Sequence, residues 1–361
     1  MRENVPNHNP TEAEVQGTRL TQPVRITEQA WPEGTIPVVS ICSTAYNHEN
    51  FIRECLDGFL IQETNFPIEI LIHDVASTDS TANIIREYEV QYPNVIKPIY
   101  QKENQYSKGV PPFKDFLYPR AKGKYIAICE GDDYWTAPSK LQTQVDFMES
   151  HLDYSGCFHN VNFVYEDGSK STHPQYAKPL KDTFTIQDLA AFNYIAGPSN
   201  LFRARLFPDF PAWYGRTPVG DWPLHVLNAE HGDIGYINRI LAAYRVHGGG
   251  VWSSLSVLES DKINIQVAEA IDAHLGFKYT RAIRKNIAYW HYRLAMNMDR
   301  ERVDNGISAH LRSSIRNCFS HEKIPKKEIL TMLIKHSFKH SWPVAYVRLK
   351  QVKEALSRFR S

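Results

Sequence analysis

The chain has 361 residues, 42% of them hydrophobic, so it is long enough to form one large domain with an appendage, or two domains, around a substantial core. Lys and Arg total 41 against 40 Asp and Glu, and this net charge of +1 gives no general case for binding nucleic acid. The five cysteines are scattered and form no C-x-x-C pair, which disfavours both a disulfide framework and a zinc site.

The first segment, residues 1–35, is polar, contains four prolines and shows no sustained periodicity. This composition predicts a mobile arm or a strap across the surface, without chemistry of its own. The N-terminus lacks an apolar h-region, and the sequence contains no uninterrupted apolar run of about 18 residues that would span a bilayer. We therefore expect a cytoplasmic protein.

From Pro37 the pattern changes to short apolar runs separated by amphipathic segments. The runs predict four strands: VVSICS (38–43), IEILIH (68–73), VIKPIY (95–100) and KYIAIC (124–129). The intervening segments place apolar residues at helical spacing, first Ile52, Cys55, Leu56 and Phe59, then Ile84, Ile85 and Tyr88. Strands alternating with helices predict an α/β fold, a Rossmann-like, mostly parallel sheet with helices on both faces.

Polar residues follow three of the predicted strands, in the segments STAYNHE (43–49), HDVASTDST (73–81) and EGDDYW (130–135). In open α/β sheets, ligands bind outside the carboxyl ends of the strands, where the strand order reverses. The sequence therefore predicts a ligand site at this edge of the sheet. Glu130, Asp132 and Asp133 crowd three carboxylates together, which requires either a compensating cation, such as a bound divalent metal, or the solvent exposure of an acidic turn.

Four segments together resemble the successive motifs of family 2 glycosyltransferases, nucleotide-sugar-dependent enzymes with the GT-A fold. The segments are VVSICSTAYNHENFIRECLDGFLIQ, IEILIHDVASTDST, KGKYIAICEGDDYW and GDWPLHVLNAEHG. The resemblance covers about residues 36–255. It implies a GT-A domain over residues 36–256, between the arm at 1–35 and a helical, basic region at 257–361.

The resemblance implies a nucleotide site around Tyr46 and Asp74, with Thr44 and Glu49 among its contacts. Tyr46 matches the aromatic that lies against the nucleobase, and Asp74 matches the carboxylate that accepts the ring N–H of uracil or thymine, which implies a UDP- or dTDP-sugar. From the residues alone, Tyr46 is alternatively a loop aromatic that covers a helix end, and Asp74 is alternatively a turn carboxylate that bonds to its own backbone. The chain departs from the commonest family pattern at Val75, where a second acidic or amide residue is usual.

The resemblance also implies a metal site for Mn²⁺ or Mg²⁺, hard cations that prefer oxygen ligands. Glu130 takes the first place of a motif resembling D-x-D and is expected to serve ribose or a metal-bound water. Asp132 is the main predicted ligand and Asp133 the reserve. His247 precedes three glycines and matches a histidine that completes the metal shell or contacts the diphosphate; the alternative is a structural histidine.

Three further side chains are assigned to the donor pocket with an alternative beside each. Trp135 and Tyr134 wall the pocket or are ordinary core aromatics. Lys108 neutralises phosphate charge or is a solvated lysine.

Asp221 matches the position of the catalytic base, which removes the proton of the acceptor hydroxyl and gives inversion at the anomeric carbon. Because Pro223 follows it in an apolar-periodic segment, Asp221 is alternatively a helix N-cap, and the two roles are compatible. The segment GPSNLFR (197–203) matches an acceptor-facing strand and loop. Acceptor contacts are therefore predicted for Ser199, Asn200 and Trp222.

The C-terminal region, beyond the resemblance, predicts successive helices. Apolar residues recur every three or four positions in two series: Ile263, Val267, Ile271 and Leu275, then Ile283, Ile287, Trp290 and Leu294. Residues 322–361 carry ten Lys and Arg against three Glu, a net charge of +7. One face of the final segment is apolar: Ala345, Leu349, Val352, Leu356 and Phe359. This segment is predicted either to lie on an anionic membrane, beside a lipid-linked acceptor, or to pack on the catalytic domain or on a partner in a homo-oligomer.

Two functions from different classes remain open on the sequence. The first is an inverting, metal-dependent glycosyltransferase of the hexosyltransferase type, which moves a sugar from a UDP- or dTDP-sugar to a hydroxyl of a glycan or lipid-linked acceptor in surface polysaccharide biosynthesis. The second is a catalytically silent nucleotide-sugar-binding or scaffolding protein with the same fold, for which Val75 is the hint. No nucleic acid partner is expected.

Overall fold

A computed structural model describes residues 19–300, 306–318, 329 and 331–333 of the chain. They separate into two compact units. The first holds the described residues up to Leu189 together with Asn193–Ser253, and the second holds Ala190–Phe192 and the described residues from Ser254 onward.

The first unit is built on one large mixed sheet and a separate two-stranded ribbon. In chain order the strands are β1 (Val24–Arg25), β2 (Val39–Ala45), β3 (Glu63–Thr64), β4 (Ile68–Asp74), β5 (Ile96–Tyr100), β6 (Tyr125–Ile128), β7 (Tyr134–Trp135), β8 (Tyr154–Tyr165), β9 (His173–Pro174), β10 (Thr183–Phe184), β11 (Leu201–Arg203) and β12 (Asp233–Val246). The main sheet runs β10-β12-β8-β11-β6-β2-β4-β5, with β7 paired to β12 and β9 to β8.

Helices connect these strands and make up most of the described second unit. They are α1 (Ile52–Leu60), α2 (Thr81–Gln91), α3 (Lys140–Ser150), α4 (Ile186–Ala191), α5 (Asp221–Ala229), α6 (Val257–His274), α7 (Thr280–Arg300) and α8 (Ile307–Cys318). In α1 the four residues of the predicted apolar face, Ile52, Cys55, Leu56 and Phe59, are all fully buried. The helical spacing in the sequence therefore identified the correct face.

The predicted parallel strands form the centre of the sheet. Strand β2 pairs in parallel with β4 on one side and with β6 on the other, and β4 continues in parallel to β5. The chain thus moves outward from β2 in one direction and later returns to its opposite side. This reversal puts the carboxyl ends of β2 and β6 next to each other and confirms the predicted α/β fold. In such sheets, ligands bind at this edge.

The far half of the sheet was not predicted in detail. The long strands β8 and β12 pair in parallel, while β11 lies antiparallel to both β8 and β6 and joins the two halves. The two-residue strand β7 pairs antiparallel with β12, opposite Ala242 and Ala243. As a result, the end of β12 comes alongside the acidic turn that separates β6 from β7.

Helix α1 packs directly onto the backbone of β7, at Gly58. A Cβ atom at Gly58 would lie 2.8 Å from the backbone nitrogen and oxygen of Trp135, closer than real Cβ atoms come to such atoms. Glycine is therefore required here by the close approach of helix and strand. The contact fixes α1 relative to the acidic turn just before β7.

The described part of the N-terminal segment, residues 19–35, is a strap. Strand β1 pairs with β3, and Ile26 is buried in the core of the first unit. The Gln29 amide nitrogen donates to the Thr64 carbonyl at 2.6 Å.

The second unit contains α6, α7 and α8. Helix α6 begins with a capping box between Ser256 and Glu259, and Gly276 follows its end with a positive φ of 57°. In α7 the predicted apolar positions Ile283, Ile287, Trp290 and Leu294 are buried. None of the described helices combines the length and the hydrophobicity needed to cross a bilayer. The predicted apolar face of the final segment (Ala345, Leu349, Val352, Leu356 and Phe359) lies outside the described residues.

Candidate active site

Two loops at the carboxyl ends of β2 and β4 are joined by hydrogen bonds into one platform. The Asn47 side-chain oxygen accepts from the Thr78 amide at 2.8 Å, and the His48 amide donates to the Thr81 hydroxyl at 2.7 Å. Asn47 adopts a positive φ of 55°, a conformation that asparagine tolerates better than most residues. Glu49, predicted to contact the nucleotide sugar, is exposed and accepts from the Ser80 amide at 2.9 Å, so in this structure it holds the platform together.

The platform carries the two predicted nucleobase residues. The Tyr46 side chain is 42% exposed, so its ring is free to stack on a planar ligand. Asp74 is buried, and its carboxylate lies 3.3–3.4 Å from the Ser77 amide. Burial raises the pKa of Asp74, because hydrogen bonds with Ser77 and the charge of Arg86 only partly offset the loss of solvent. Val75 is buried with 2% exposure, so the residue that departs from the family pattern packs into the core.

The acidic turn begins after β6 with Gly131 wedged against α1. A Cβ atom at Gly131 would lie 3.0–3.1 Å from side-chain atoms of Ala45, His48 and Ile52, so a larger residue would require these neighbours to shift. The Gly131 amide donates to the Thr44 carbonyl at 2.9 Å, which ties the turn to the end of β2. Thr44 thus supports the turn from the neighbouring strand.

Glu130 is exposed at the cleft, and the charges of two other carboxylates affect its pKa. Desolvation within the cleft, followed by the charges of Asp132 and Asp221, raises the pKa of Glu130 to about 8, while hydrogen bonds with Thr44 lower it in part. Glu130 and Asp221, which are 91 positions apart in the sequence, are therefore neighbours in the cleft. Desolvation is the main cause of the shift, and the charges of Asp132 and Asp221 add to it.

The two adjacent aspartates face opposite ways. Asp132 is partly exposed, with Oδ2 3.0 Å from His247 Nε2 and 3.8 Å from His48 Nε2. Burial raises the pKa of Asp132, but the His247 hydrogen bond and the charges of the two histidines outweigh it and leave the pKa below its usual range. Asp133 is buried, and its Oδ1 accepts from the backbone N–H of Arg245 at 2.7 Å.

This orientation corrects the prediction of Asp133 as reserve ligand, because its carboxylate is turned into the protein. Asp132 and His247 are brought together, as the sequence resemblance implied. Within the described part of the chain, no three His, Cys, Asp or Glu side chains are arranged to hold a metal ion by themselves. One carboxylate oxygen beside one imidazole nitrogen nevertheless fits a divalent cation that takes its remaining ligands from a diphosphate and water.

Asp221 is the first residue of α5, and the N-cap position belongs to Gly220. The alternative reading of Asp221 as an N-cap is therefore wrong, since its side chain makes no capping hydrogen bond. Instead its Oδ2 accepts from the Asn193 side-chain amide at 2.9 Å. One turn later, burial lowers the pKa of His225 to about 4, so that imidazole is neutral at neutral pH.

Three predicted contact residues are core residues instead. Trp135 is 1% exposed and donates its indole N–H to the Pro198 carbonyl at 3.0 Å. Trp222 is 2% exposed and donates to the Leu189 carbonyl at 2.6 Å. Ser199 is fully buried, with its hydroxyl donating to the Ala196 carbonyl at 2.7 Å. Their side chains are therefore satisfied inside the protein and do not face a ligand.

Asn200 lies inside the protein, whereas Lys108 lies on its surface. Asn200 is buried, its amide nitrogen donates to the Gly197 carbonyl at 2.7 Å, and its side-chain oxygen has no hydrogen-bond partner among the described residues. Lys108 is exposed and forms an ion pair with Glu103. Its predicted contact with phosphate stays a prediction.

Sequence reasoning missed three residues that border the cleft. Tyr106 is 48% exposed, and its phenol pKa is raised by desolvation and then by the charges of Glu130 and Asp221, so its ring lies near both carboxylates. Asn193 and Arg245 contact the acids directly. No motif signalled any of the three; only the fold brings them to these positions.

A comparison with protein families matches residues 40–209 to the model described as glycosyl transferase family 2. An uncharacterised glycosyltransferase of Nostoc sp. PCC 7120 is 31% identical over 62% of this chain and 69% of its own length. An uncharacterised protein of Mycobacterium tuberculosis H37Rv is 43% identical over 60% of this chain, and the chain matches 61% of that relative's length.

Two further similarities concern a named glucosyltransferase and a solved structure with a bound nucleotide sugar. The UDP-Glc:alpha-D-GlcNAc-diphosphoundecaprenol beta-1,3-glucosyltransferase of Escherichia coli is 35% identical over 35% of this chain and 49% of its own. The crystal structure of Staphylococcus aureus TarS 1-349 in complex with UDP-GlcNAc is 17% identical, with a TM-score of 0.54, over 89% of this chain and 91% of that chain. At this identity the structural likeness concerns the GT-A fold alone.

Proposed function

Because the chain belongs to glycosyl transferase family 2, we propose that it is an inverting, metal-dependent enzyme that uses a UDP- or dTDP-sugar. In this proposal the sugar passes to a hydroxyl of a glycan or lipid-linked acceptor in surface polysaccharide biosynthesis. The observation that carries the proposal is the convergence, within the first unit, of Tyr46 with Asp74 at the ends of the paired strands β2 and β4, of Asp132 with His247, and of Glu130 with Asp221.

The nucleotide half of the proposal rests on the pairing of an exposed ring with a buried carboxylate. Tyr46 would stack on the base, and Asp74 would accept the N3–H that uracil and thymine carry. Since burial raises the pKa of Asp74, a bound base that donates a hydrogen bond would favour the charged carboxylate. The TarS structure with UDP-GlcNAc supports a uridine nucleotide for this fold.

A divalent cation, Mn²⁺ or Mg²⁺, would neutralise the charge that develops on the departing diphosphate. The residues that would hold it are Asp132 and His247, whose facing atoms are 3.0 Å apart. Glu130, exposed beside them, would bind a ribose hydroxyl or a water of this site. Asp133 would contribute to the turn and not to the cation.

Asp221 is the proposed general base. Its carboxylate would remove the proton of the acceptor hydroxyl as that oxygen attacks the anomeric carbon from the side opposite the nucleotide. Asn193 holds one of its oxygens at 2.9 Å and leaves the other available for the proton. A single carboxylate suffices, because a nucleoside diphosphate leaves without needing a second, acidic group to protonate it.

The proposed acceptor is supported by the name of one relative. The Escherichia coli relative is named for a diphosphoundecaprenol-linked acceptor, which supports a lipid-linked saccharide for this chain too.

The basic segment 322–361, with its net charge of +7, would hold the enzyme at an anionic membrane surface. Replacing Arg348, Lys350 and Lys353 by Gln in the full chain should weaken its flotation with anionic liposomes; unchanged flotation would contradict the membrane role.

The decisive experiment screens a panel of nucleotide sugars for UDP or dTDP release with Mn²⁺ or Mg²⁺. We expect release that a chelator abolishes, and a loss of about 100-fold or more in Asp221→Asn, since a positioned base contributes that much. Asp153→Asn, at an exposed carboxylate outside the cleft, is the matched control and should retain the wild-type rate. Equal release by the Asp221 variant and wild type would remove Asp221 as the base. No metal-dependent nucleotide binding by wild type in calorimetry would overturn the whole proposal.

A further inference from the structure

Arg245 is the penultimate residue of β12. It makes two hydrogen bonds to the acidic turn, which no sequence motif predicts. We infer that Arg245 is a positioning residue: it holds the turn of residues 130–133 so that Asp132, and not Asp133, faces the donor. This inference rests on the proposed function for its consequence in metal binding, but the arrangement of the turn itself is a property of the protein alone.

Arg245 touches both aspartates of the turn with different parts of its structure. Its backbone N–H donates to Asp133 Oδ1 at 2.7 Å and draws that carboxylate into the interior. Its side-chain Nε donates to the Asp132 backbone carbonyl, also at 2.7 Å. Two consecutive residues are thereby fixed from one point. The Nε contact depends on the arginine side chain, whereas the backbone contact depends on where β12 runs.

Ion pairs to two other parts of the first unit hold the guanidinium group in place. Its side chain is 6% exposed and pairs with Glu54 of α1 and with Glu166, which follows β8. A charge this buried is costly unless it is paired, and two carboxylates satisfy it here. The guanidinium carbon also lies 4.8 Å from the ring centres of Phe51 and Tyr134, so aromatic faces cover what the carboxylates leave open.

The same anchor extends to the histidine of the proposed cation site. His247 follows Arg245 by two residues, and its ring packs on Phe51 with a centroid separation of 4.5 Å. Phe51 thus contacts the Arg245 guanidinium and the His247 imidazole together. If Arg245 were lost, the Asp132 carbonyl and the Phe51 ring would both lose a neighbour. The 3.0 Å approach of His247 to Asp132 depends on these supports.

Lysine would not replace this residue. The contacts go to a carbonyl, two carboxylates and two ring faces, and they require a planar group with donors in several fixed directions. A lysine ammonium could keep one ion pair. It lacks the planar set of donors needed to bond to the Asp132 carbonyl at the same time. A lysine variant should therefore restore the charge without restoring the geometry.

The test compares wild type, Arg245→Met, Arg245→Lys and the control Arg53→Met. Arg53 lies next to Glu54 on α1 and pairs with Glu87 at 2.6 Å on the surface, so its loss removes an arginine ion pair outside the turn. The first measurement needs no ligand: hydrogen exchange of the peptide covering residues 129–135. We expect faster exchange at the turn in Arg245→Met and wild-type exchange in Arg53→Met.

The second measurement is calorimetric binding of UDP with Mn²⁺. Loss of a residue that orients a metal ligand typically lowers metal affinity by about 10- to 100-fold. We expect that loss for Arg245→Met, little recovery in Arg245→Lys, and wild-type affinity in Arg53→Met, while UDP binding without metal stays unchanged. If Arg245→Met does not fold, Glu166→Gln removes one anchor and should show the same changes, smaller in size.

Two outcomes are kept apart by this design. If wild type binds Mn²⁺ and UDP and a folded Arg245→Met binds them equally well, with unchanged exchange at the turn, the positioning role is overturned. If wild type itself shows no Mn²⁺-dependent binding of UDP, the proposed function fails, while the exchange measurement still decides whether Arg245 holds the turn.

Discussion

The assignment of different roles to two adjacent carboxylates predicts different phenotypes for two isosteric variants, Asp132→Asn and Asp133→Asn. Asp132 faces His247 and His48 with Oδ2, at 3.0 and 3.8 Å, and its charge is the one available to a cation. Asp133 is buried against the Arg245 backbone N–H, a partner that an amide oxygen satisfies almost as well as a carboxylate.

The magnitudes separate the two variants clearly. Replacing the carboxylate of Asp132 removes a negative ligand oxygen, and a bound cation contributes several kcal/mol to charge stabilisation, so a loss of about 100- to 1,000-fold in metal-dependent binding and turnover is expected. Replacing Asp133 by Asn keeps a side-chain oxygen that accepts from the Arg245 N–H, so the cost is about 1 kcal/mol in the free energy of unfolding. The Asp133 variant should therefore stay within about 10-fold of wild type.

Calorimetry with UDP and Mn²⁺ measures the difference without knowledge of the donor sugar, and a thermal unfolding curve for each variant confirms that it is folded. Turnover with the donor found by screening gives a second reading. The reasoning would be refuted if folded Asp133→Asn lost Mn²⁺-dependent binding as completely as Asp132→Asn. That result would mean that the inward-facing carboxylate turns to the cation when substrate binds.

Three further predictions follow. Tyr46→Ala should weaken UDP binding by roughly 10- to 100-fold in calorimetry, because aromatic stacking on a base contributes about 1–3 kcal/mol, whereas Tyr46→Phe should bind like wild type. Asn193→Ala should lower kcat by about 10-fold and leave the donor KM nearly unchanged, since it removes only the 2.9 Å hydrogen bond to Asp221; a changed KM with constant kcat would contradict this. His291 contacts His310 at 3.0 Å, and burial followed by the His310 charge lowers the pKa of His291 to about 4. Because the unfolded chain then binds the extra proton first, denaturation should show stability falling from pH 6.5 toward pH 4, by about 1–2 kcal/mol at pH 5, and His291→Gln should lose less.

The central sheet could be predicted from the sequence because its signals are local. Each parallel strand is a short apolar run, and the apolar face of α1 repeats at helical spacing, so β2, β4, β5 and β6 were located to within about two residues. The polar ends of those strands then had to meet at one edge, which brought Tyr46, Asp74 and Asp132 into the prediction.

The errors arise where a residue's surroundings are set by distant parts of the chain. Trp135 was assigned to the pocket wall because it follows the acidic turn, yet β7 pairs with Ala242 and Ala243 of β12, and that pairing turns the indole inward. The sequence around Trp135 does not reveal how it pairs with a strand more than 100 residues away. Ser199 was misassigned for the same reason, since its neighbour Leu201 is held between β6 and β8.

The crowded carboxylates of the acidic turn have a different explanation from the one that the sequence suggests. Adjacent aspartates suggest one bound cation, but the protein treats them separately: His247 and His48 face Asp132, whereas Asp133 is buried against the Arg245 backbone N–H. Burial and then the charge of Asp132 raise the pKa of Asp133 well above its usual range, although that hydrogen bond lowers it in part. Glu130 likewise keeps a raised pKa, which reflects desolvation and then the charges of Asp132 and Asp221. When a cation binds together with a diphosphate, Asp132 is therefore already oriented as a ligand and Asp133 faces away from the cation. Glu130 is the carboxyl group that loses its proton. Binding of Mn²⁺ with UDP should accordingly release protons near pH 7, and the enthalpy of binding measured in buffers of different ionisation enthalpy should reveal them; an identical enthalpy in all buffers would contradict this account of Glu130.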